Sequence, residues 1–313
     1  MSIALSTVVA ASVAAIGLAV APGISQAASK HVTKPPVYYL SLGDSYSIGY
    51  QPSSPSNPAG DPNGSPGYTA YVAKKQKMTL EQFGCGGATT SSIVGSIGCP
   101  DYGSSDVVEY PDTTQEAAAL AFINNPANAG EVGLITVSIG GNDVTSCANV
   151  TGGELAIFEC IEAADTGIAT NVTSLVSNLD AALTANGDTA PVIGLTYPDV
   201  ILGDWVYPSG SPDQSLASLS VAAFDDYINP TLQTAYGGAP NFVNVTKAPY
   251  KYATAGDDTP LTTLKKVMPY GKIPAAVAEI CQLTYFCSQG NIHANTTGYT
   301  NIGKLIVAHL AAA

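Results

Sequence analysis

Five short apolar runs punctuate this chain, and between them apolar residues recur every three or four positions. The runs are Val37-Tyr38-Tyr39-Leu40-Ser41-Leu42, Thr79 to Phe83, Val132 to Ile139, Pro191 to Tyr197 and Asn241 to Val245. Such continuous runs predict strands buried on both faces, as in a parallel sheet. Ile168, Val172, Leu175, Leu179 and Leu183 follow helical spacing, with Gly187 as a stop. Leu216, Leu219, Ala223 and Tyr227 repeat that spacing before Pro230, and a last helix from about Thr297 buries Ile302, Leu305 and Ile306. Strand–helix alternation with right-handed crossovers predicts an α/β fold whose parallel sheet is covered on both faces. Residues 99 to 112, 145 to 165, 203 to 214 and 248 to 290 read as long connections, and Pro52 to Gly67 as a surface loop rather than a linker.

Residues 1–27 carry no charged side chain, and Ser25-Gln26-Ala27 places small residues where a signal peptidase cuts. They read as a secretory leader, although one without a basic start. A membrane anchor is the competing reading, but Pro22-Gly23 interrupts the apolar run before it reaches about 20 residues. The expected organisation is leader 1–27, tail 28–36, and one domain over 37–313 in an exported monomer with no integral membrane segment. With 11 basic against 24 acidic residues, the formal charge of −13 repels polyanions, so nucleic acid is excluded as a partner.

Export gives the six cysteines a meaning. They fall as three local pairs, Cys85 with Cys99, Cys147 with Cys160 and Cys281 with Cys287, and pair as neighbours in an oxidising compartment. Zinc is disfavoured, because there is no Cys-x-x-Cys and there are only three histidines. No metal and no cofactor is expected.

Chemistry concentrates where predicted strands end. Gly43-Asp44-Ser45 follows the first strand, and a hydroxyl there becomes a nucleophile if a base lies within hydrogen-bond reach. His31 sits beside the cleavage site and His309 in the terminal helix, so His293, in a polar loop entering that helix, is the candidate base. Gly86-Gly87 and Gly140-Gly141-Asn142-Asp143 follow the second and third strands. Small residues there let backbone N–H groups approach a ligand oxygen, and an asparagine adds a neutral donor. Phosphate-loop patterns are absent, as is the last glycine of Gly-x-Ser-x-Gly.

In these four ordered blocks the chain resembles the GDSL (SGNH) hydrolase family from about residue 37 to its C-terminus. Its cysteine pairs and long loops resemble secreted actinobacterial lipases and esterases of that family. The resemblance implies a flavodoxin-like three-layer sandwich and metal-free hydrolysis of small-molecule or lipid esters. Carried over by position, Ser45 is the nucleophile, His293 the general base, and the Ser45 and Gly87 amides with the Asn142 side chain the oxyanion donors. One departure stands out. The family commonly has aspartate three residues before the histidine, where this chain has Gly290, and proline after it, where this chain has Ala294. The expectation here is that the Gly290 carbonyl, or one beside it, orients His293. A carbohydrate acetyl esterase and a non-catalytic glycan-binding domain are the alternatives to a lipase or esterase.

Overall fold

The structure is a computed structural model in which residues 37–52, 67–100, 107–206, 213–246 and 259–313 are described. The expected leader and tail, with His31, lie outside these residues, as does most of the 52–67 loop. All five apolar runs form strands: β1 (Tyr38–Gly43), β2 (Thr79–Gln82), β3 (Val132–Ser138), β4 (Val192–Leu195) and β5 (Phe242–Val243). They make one sheet in the order β2-β1-β3-β4-β5, parallel throughout.

Helices α1 (Tyr68–Gln76), α2 (Thr90–Gly95), α3 (Gln115–Ile123), α4 (Gly141–Thr145) and α5 (Glu154–Ala185) precede β4. Helices α6 (Gln214–Ala222) and α7 (Asn229–Ala235) lie between β4 and β5. Helices α8 (Thr259–Thr262), α9 (Ala275–Leu283), α10 (Phe286–Gln289) and α11 (Thr296–Ala312) follow. The step from β1 to β2 runs opposite to every later step. Right-handed crossovers therefore put α1 on one face of the sheet and α3, α5 and α7 on the other. The packing agrees: α1 lies against α11, whereas α3 and α7 lie against α5.

The reversal of strand order falls between β1 and β3, where open parallel sheets bind ligands beyond their carboxyl ends. Gly43 ends β1 with φ +132°, and a Cβ there would stand 2.0 Å from the Ser138 carbonyl oxygen on β3. Only glycine fits so close a backbone approach. The buried Gln115 side chain locks this end, accepting from Gly43 N–H at 2.7 Å and donating to its carbonyl at 3.1 Å.

Three expectations need correction. Residues 145 to 165 are not a loop: a 3-10 turn, Ser146–Asn149, leads into α5, which starts at Glu154. The early turns of α5 carry apolar side chains that are exposed or half-buried, Leu155, Ile157 and Phe158, rather than the fully buried stripe of the later turns. Pro230 does not stop its helix. A π-helical stretch, Ala223–Ile228, joins α6 to α7, and this widened turn precedes the proline ring that would otherwise crowd a carbonyl one turn back. Finally, the 248–290 connection contains α8, an antiparallel hairpin of β6 (Leu264–Val267) and β7 (Gly271–Pro274), then α9 and α10.

All three cysteine pairs form as expected: Cys85–Cys99, Cys147–Cys160 and Cys281–Cys287. Among the described residues, no helix is long and apolar enough to cross a membrane.

Candidate active site

The turn after β1 winds tightly on Asp44. Its carbonyl accepts from the main-chain N–H groups of Ser47 and Ile48 and from Ser47 Oγ, and its carboxylate accepts from Tyr46 N–H at 2.9 Å. Asp44 is thereby held buried, and it and its neighbour Ser45 line the same cavity. Tyr197, after β4, donates to Asp44 Oδ2 at 2.6 Å. Burial drives the Asp44 carboxyl up to about 7, against the lowering effect of these donors.

His293 reaches this turn from the far end of the chain. Its loop is anchored on both sides: Tyr285 N–H donates to the His293 carbonyl, and Asn295 N–H to the Leu283 carbonyl. Asn295 then caps α11 through Thr297 and Gly298 N–H. The Cys281–Cys287 bridge closes the α9–α10 segment that carries these partners. Tyr46 Oη donates to the Ile292 carbonyl at 2.6 Å, tying the Ser45 turn to the histidine loop across 246 residues of sequence. The Tyr46 and Tyr50 rings flank the imidazole.

Ser45 Oγ and His293 Nε2 stand 2.8 Å apart. Nδ1 lies 2.7 Å from Asn291 Oδ1, and the same oxygen accepts from His293 main-chain N–H at 3.1 Å. That second bond decides which end of the amide faces the ring. Because the oxygen faces Nδ1, Nδ1 carries the proton and Nε2 presents its lone pair to the serine hydroxyl. Burial lowers the imidazole to about 4, so it stays neutral through the weakly acidic range.

The expected orienting group, Gly290, is displaced from this role. Gly290 adopts φ +65° as the C-cap of α10, with its N–H on the Phe286 carbonyl. The side chain one residue on does what a backbone carbonyl was expected to do, because an asparagine two residues before the histidine closes a local turn onto its backbone. Two aspartates that could orient the ring from elsewhere in the chain are committed to other partners: Asp199 accepts from Ser220 Oγ, and Asp213 caps α6 by accepting from Leu216 N–H. Asp257 and Asp258 lie outside the described residues.

Asn142, in the first turn of α4, lines the same cavity as Ser45. Its Nδ2 donates to the Ala88 carbonyl at 2.8 Å and lies 3.4 Å from Asp44 Oδ2. One N–H is thus committed and the second only weakly held. Ala88 belongs to the Gly86-Gly87 turn, so this bond ties the ends of β2 and β3 together beside Ser45. Gly87 itself is exposed with φ +75° and faces an adjoining recess with Cys85 and Ser92, not the cavity lined by Ser45. Asp143 is spent on α2, accepting from the Thr90 hydroxyl and N–H. His309 contacts the Pro240 carbonyl, away from the site.

Tyr46, Tyr197 and Gln115 were not singled out from the sequence. Their partners lie 246, 153 and 72 residues away, and no local pattern announces them.

No protein-family model matches the chain, and no curated protein matches its sequence. Similar solved structures include an extracellular lipase from Streptomyces rimosus, 21% identical, with 85% of this chain and 97% of that one covered and a TM-score of 0.43. They also include a phospholipase A1 from Streptomyces albidoflavus, at 20% identity, 78% and 95% coverage and a TM-score of 0.39. A third is a G-D-S-L family protein from Desulfitobacterium hafniense, at 11% identity, 87% and 99% coverage and a TM-score of 0.36.

Proposed function

We propose that this chain is a secreted serine ester hydrolase of the lipase or esterase type. The observation that carries the reading is the Ser45 Oγ to His293 Nε2 contact at 2.8 Å, with Nδ1 held by Asn291 Oδ1. Nucleophile, base and orienting group then stand in hydrogen-bond sequence, as acyl transfer requires.

In this mechanism Ser45 Oγ attacks the ester carbonyl carbon as its proton passes to His293 Nε2. The oxyanion is met by the Ser45 N–H group and the weakly held N–H of Asn142 Nδ2, while Gly87, which faces the neighbouring recess, takes no part. Collapse breaks the bond to the alkoxy oxygen, which leaves with the proton from Nε2. A water deprotonated by His293 then releases the acid and restores Ser45. Asn291 fixes the ring but, being neutral, adds no charge stabilisation to the imidazolium. The Ser45, Asn142 and His293 blocks that resemble GDSL hydrolases support the same roles. Three local disulfides in one chain accord with export to an oxidising compartment.

A serine-directed fluorophosphonate should label the protein on Ser45, and Ser45→Ala should abolish both labelling and turnover while the fold persists. An adduct on another serine would overturn the assignment.

A further inference from the structure

The Asn142 amide is planar, and one of its N–H groups is committed to the Ala88 carbonyl at 2.8 Å. The direction of the other is thereby fixed. The acceptor that the protein offers this second N–H is Asp44 Oδ2, 3.4 Å away. A bare carboxylate oxygen draws an amide to about 2.7–3.2 Å, and at that distance it would hold the N–H that the oxyanion needs.

Tyr197 stands in the way. Its hydroxyl donates to the same Oδ2 at 2.6 Å, while Tyr46 N–H takes Oδ1 at 2.9 Å. Each oxygen of the buried carboxyl group therefore has a close donor of its own, and Asn142 is left as the distant one. An acceptor already satisfied by a short, charge-assisted bond competes weakly for a further donor.

The fold builds Tyr197 into this place from three sides. Its main-chain carbonyl, after β4, accepts from Thr246 Oγ1 at 2.9 Å, in the segment after β5. Its ring meets the Tyr46 ring edge-on, with centroids 5.1 Å apart. It also lies against Gly141, the residue before Asn142, where a Cβ would stand 3.0 to 3.2 Å from Cζ, Cε1 and Cε2 of the ring. Gly141 does not have positive φ, so room for the ring, rather than backbone conformation, accounts for the glycine.

We propose that Tyr197 is a positioning residue for the oxyanion donor: by occupying Asp44 Oδ2 it keeps the second N–H of Asn142 available to the negative oxygen that forms on the substrate. This role rests on the ester-hydrolase reading and adds to it a residue outside the four sequence blocks. The carbonyl oxygen of a bound ester is neutral and gains little from the amide, so the effect of Tyr197 falls on kcat rather than on KM.

Tyr197→Phe removes the donor and keeps the ring against Gly141. The assay is kcat and KM of a soluble p-nitrophenyl ester at pH 9, above the Asp44 carboxyl at about 7, with folding followed by circular dichroism. Removing an oxyanion donor outright costs about 10² to 10³ in kcat; here the donor is only diverted, so kcat should fall about tenfold with KM held within about twofold. The same substitution is then made in Asn142→Ala and in Asp44→Asn. The first background has no amide to divert. In the second, the oxygen of the new amide stays on Tyr46 N–H, and its nitrogen, facing Asn142, accepts nothing. In both backgrounds Tyr197→Phe should change kcat by less than about twofold, the non-additivity expected of residues that act through one another. The Asp44→Asn pair holds no buried charge at this position, so it supplies the comparison if Tyr197→Phe alone fails to fold. An equal loss of kcat in every background, a loss carried by KM, or an unchanged kcat in the native background would overturn the positioning role and leave the ester-hydrolase reading standing. A native protein that neither turns over esters nor labels at Ser45 would overturn the two together.

Discussion

Replacing Asn291 with aspartate should convert the neutral support of His293 into a charged one, with a calculable effect on pH dependence. In the native site Nδ1 meets an amide oxygen at 2.7 Å, and burial keeps the imidazole near 4. The base is therefore unprotonated at neutral pH, and kcat/KM should fall tenfold per unit only below about pH 4. A carboxylate in the same place adds a negative charge roughly 4 Å from the centre of the ring. At an effective dielectric of about 20 this favours imidazolium by about 4 kcal/mol, or close to three pKa units. Opposite charges at such range commonly shift a group by one to three units. Asn291→Asp should thus move the acid limb from about 4 to between about 5 and 7. It should also raise kcat above that limb, because imidazolium forms in the transition state. The assay is kcat/KM of a soluble ester between pH 3.5 and 9, with folding followed by far-ultraviolet circular dichroism. The same burial predicts that native stability declines as pH falls from about 6.5 toward 4, since the unfolded histidine takes up a proton that the folded one refuses. An acid limb unmoved in Asn291→Asp, with the fold intact, would refute the contact between Asn291 and Nδ1.

Asn142→Ala should lower kcat by about 10² to 10³ with little change in KM, since the amide serves the developing oxyanion; an unchanged kcat would reduce Asn142 to a tie between the turns after β2 and β3. Gly43→Ala places a methyl 2.0 Å from the Ser138 carbonyl oxygen at φ +132°, and should cost about 3 kcal/mol or more, read as a loss in denaturation midpoint; a midpoint equal to the parent's would contradict the close approach of β1 and β3. Exchanging Cys281 and Cys287 together for serine opens a crosslink of sequence separation 6, and should cost about 2 kcal/mol in thermal unfolding. Its kcat should fall at temperatures where the protein is still folded, because the anchors of the His293 loop lie on that segment; a drop in Tm alone would limit the bridge to stability.

The strands were legible because a parallel strand buried on both faces is apolar at nearly every position, a signal needing no partner to interpret. Ser45 and His293 were legible for a different reason: a nucleophile and base demand particular residue types, and the chain holds only three histidines. Asn291 stands two residues before His293, and nothing local in the sequence distinguishes it from Gly290 as the group that orients the ring. A side chain's reach depends on the turn it sits in, and Asn291 Oδ1 was directed to Nδ1 by a main-chain bond that sequence does not display. Helices α8 and α10, each of 4 residues, offer too few positions for a helical period to show, and the first turns of α5 mix exposed Leu155 with half-buried Ile157 and Phe158.

Residue order along the chain thus determined the element types, the chemistry available at the strand ends and the local pairing of cysteines, all set by forces acting over a few residues. Tertiary structure alone decided what those groups face. The Tyr46 to Ile292 bond, the Tyr197 to Asp44 bond and the apolar cavity assembled from α4, α5, α6 and the π-helical stretch each join segments far apart in sequence. Such contacts arise from packing once the sheet order has formed, and packing depends on the shapes of surfaces that no local pattern encodes.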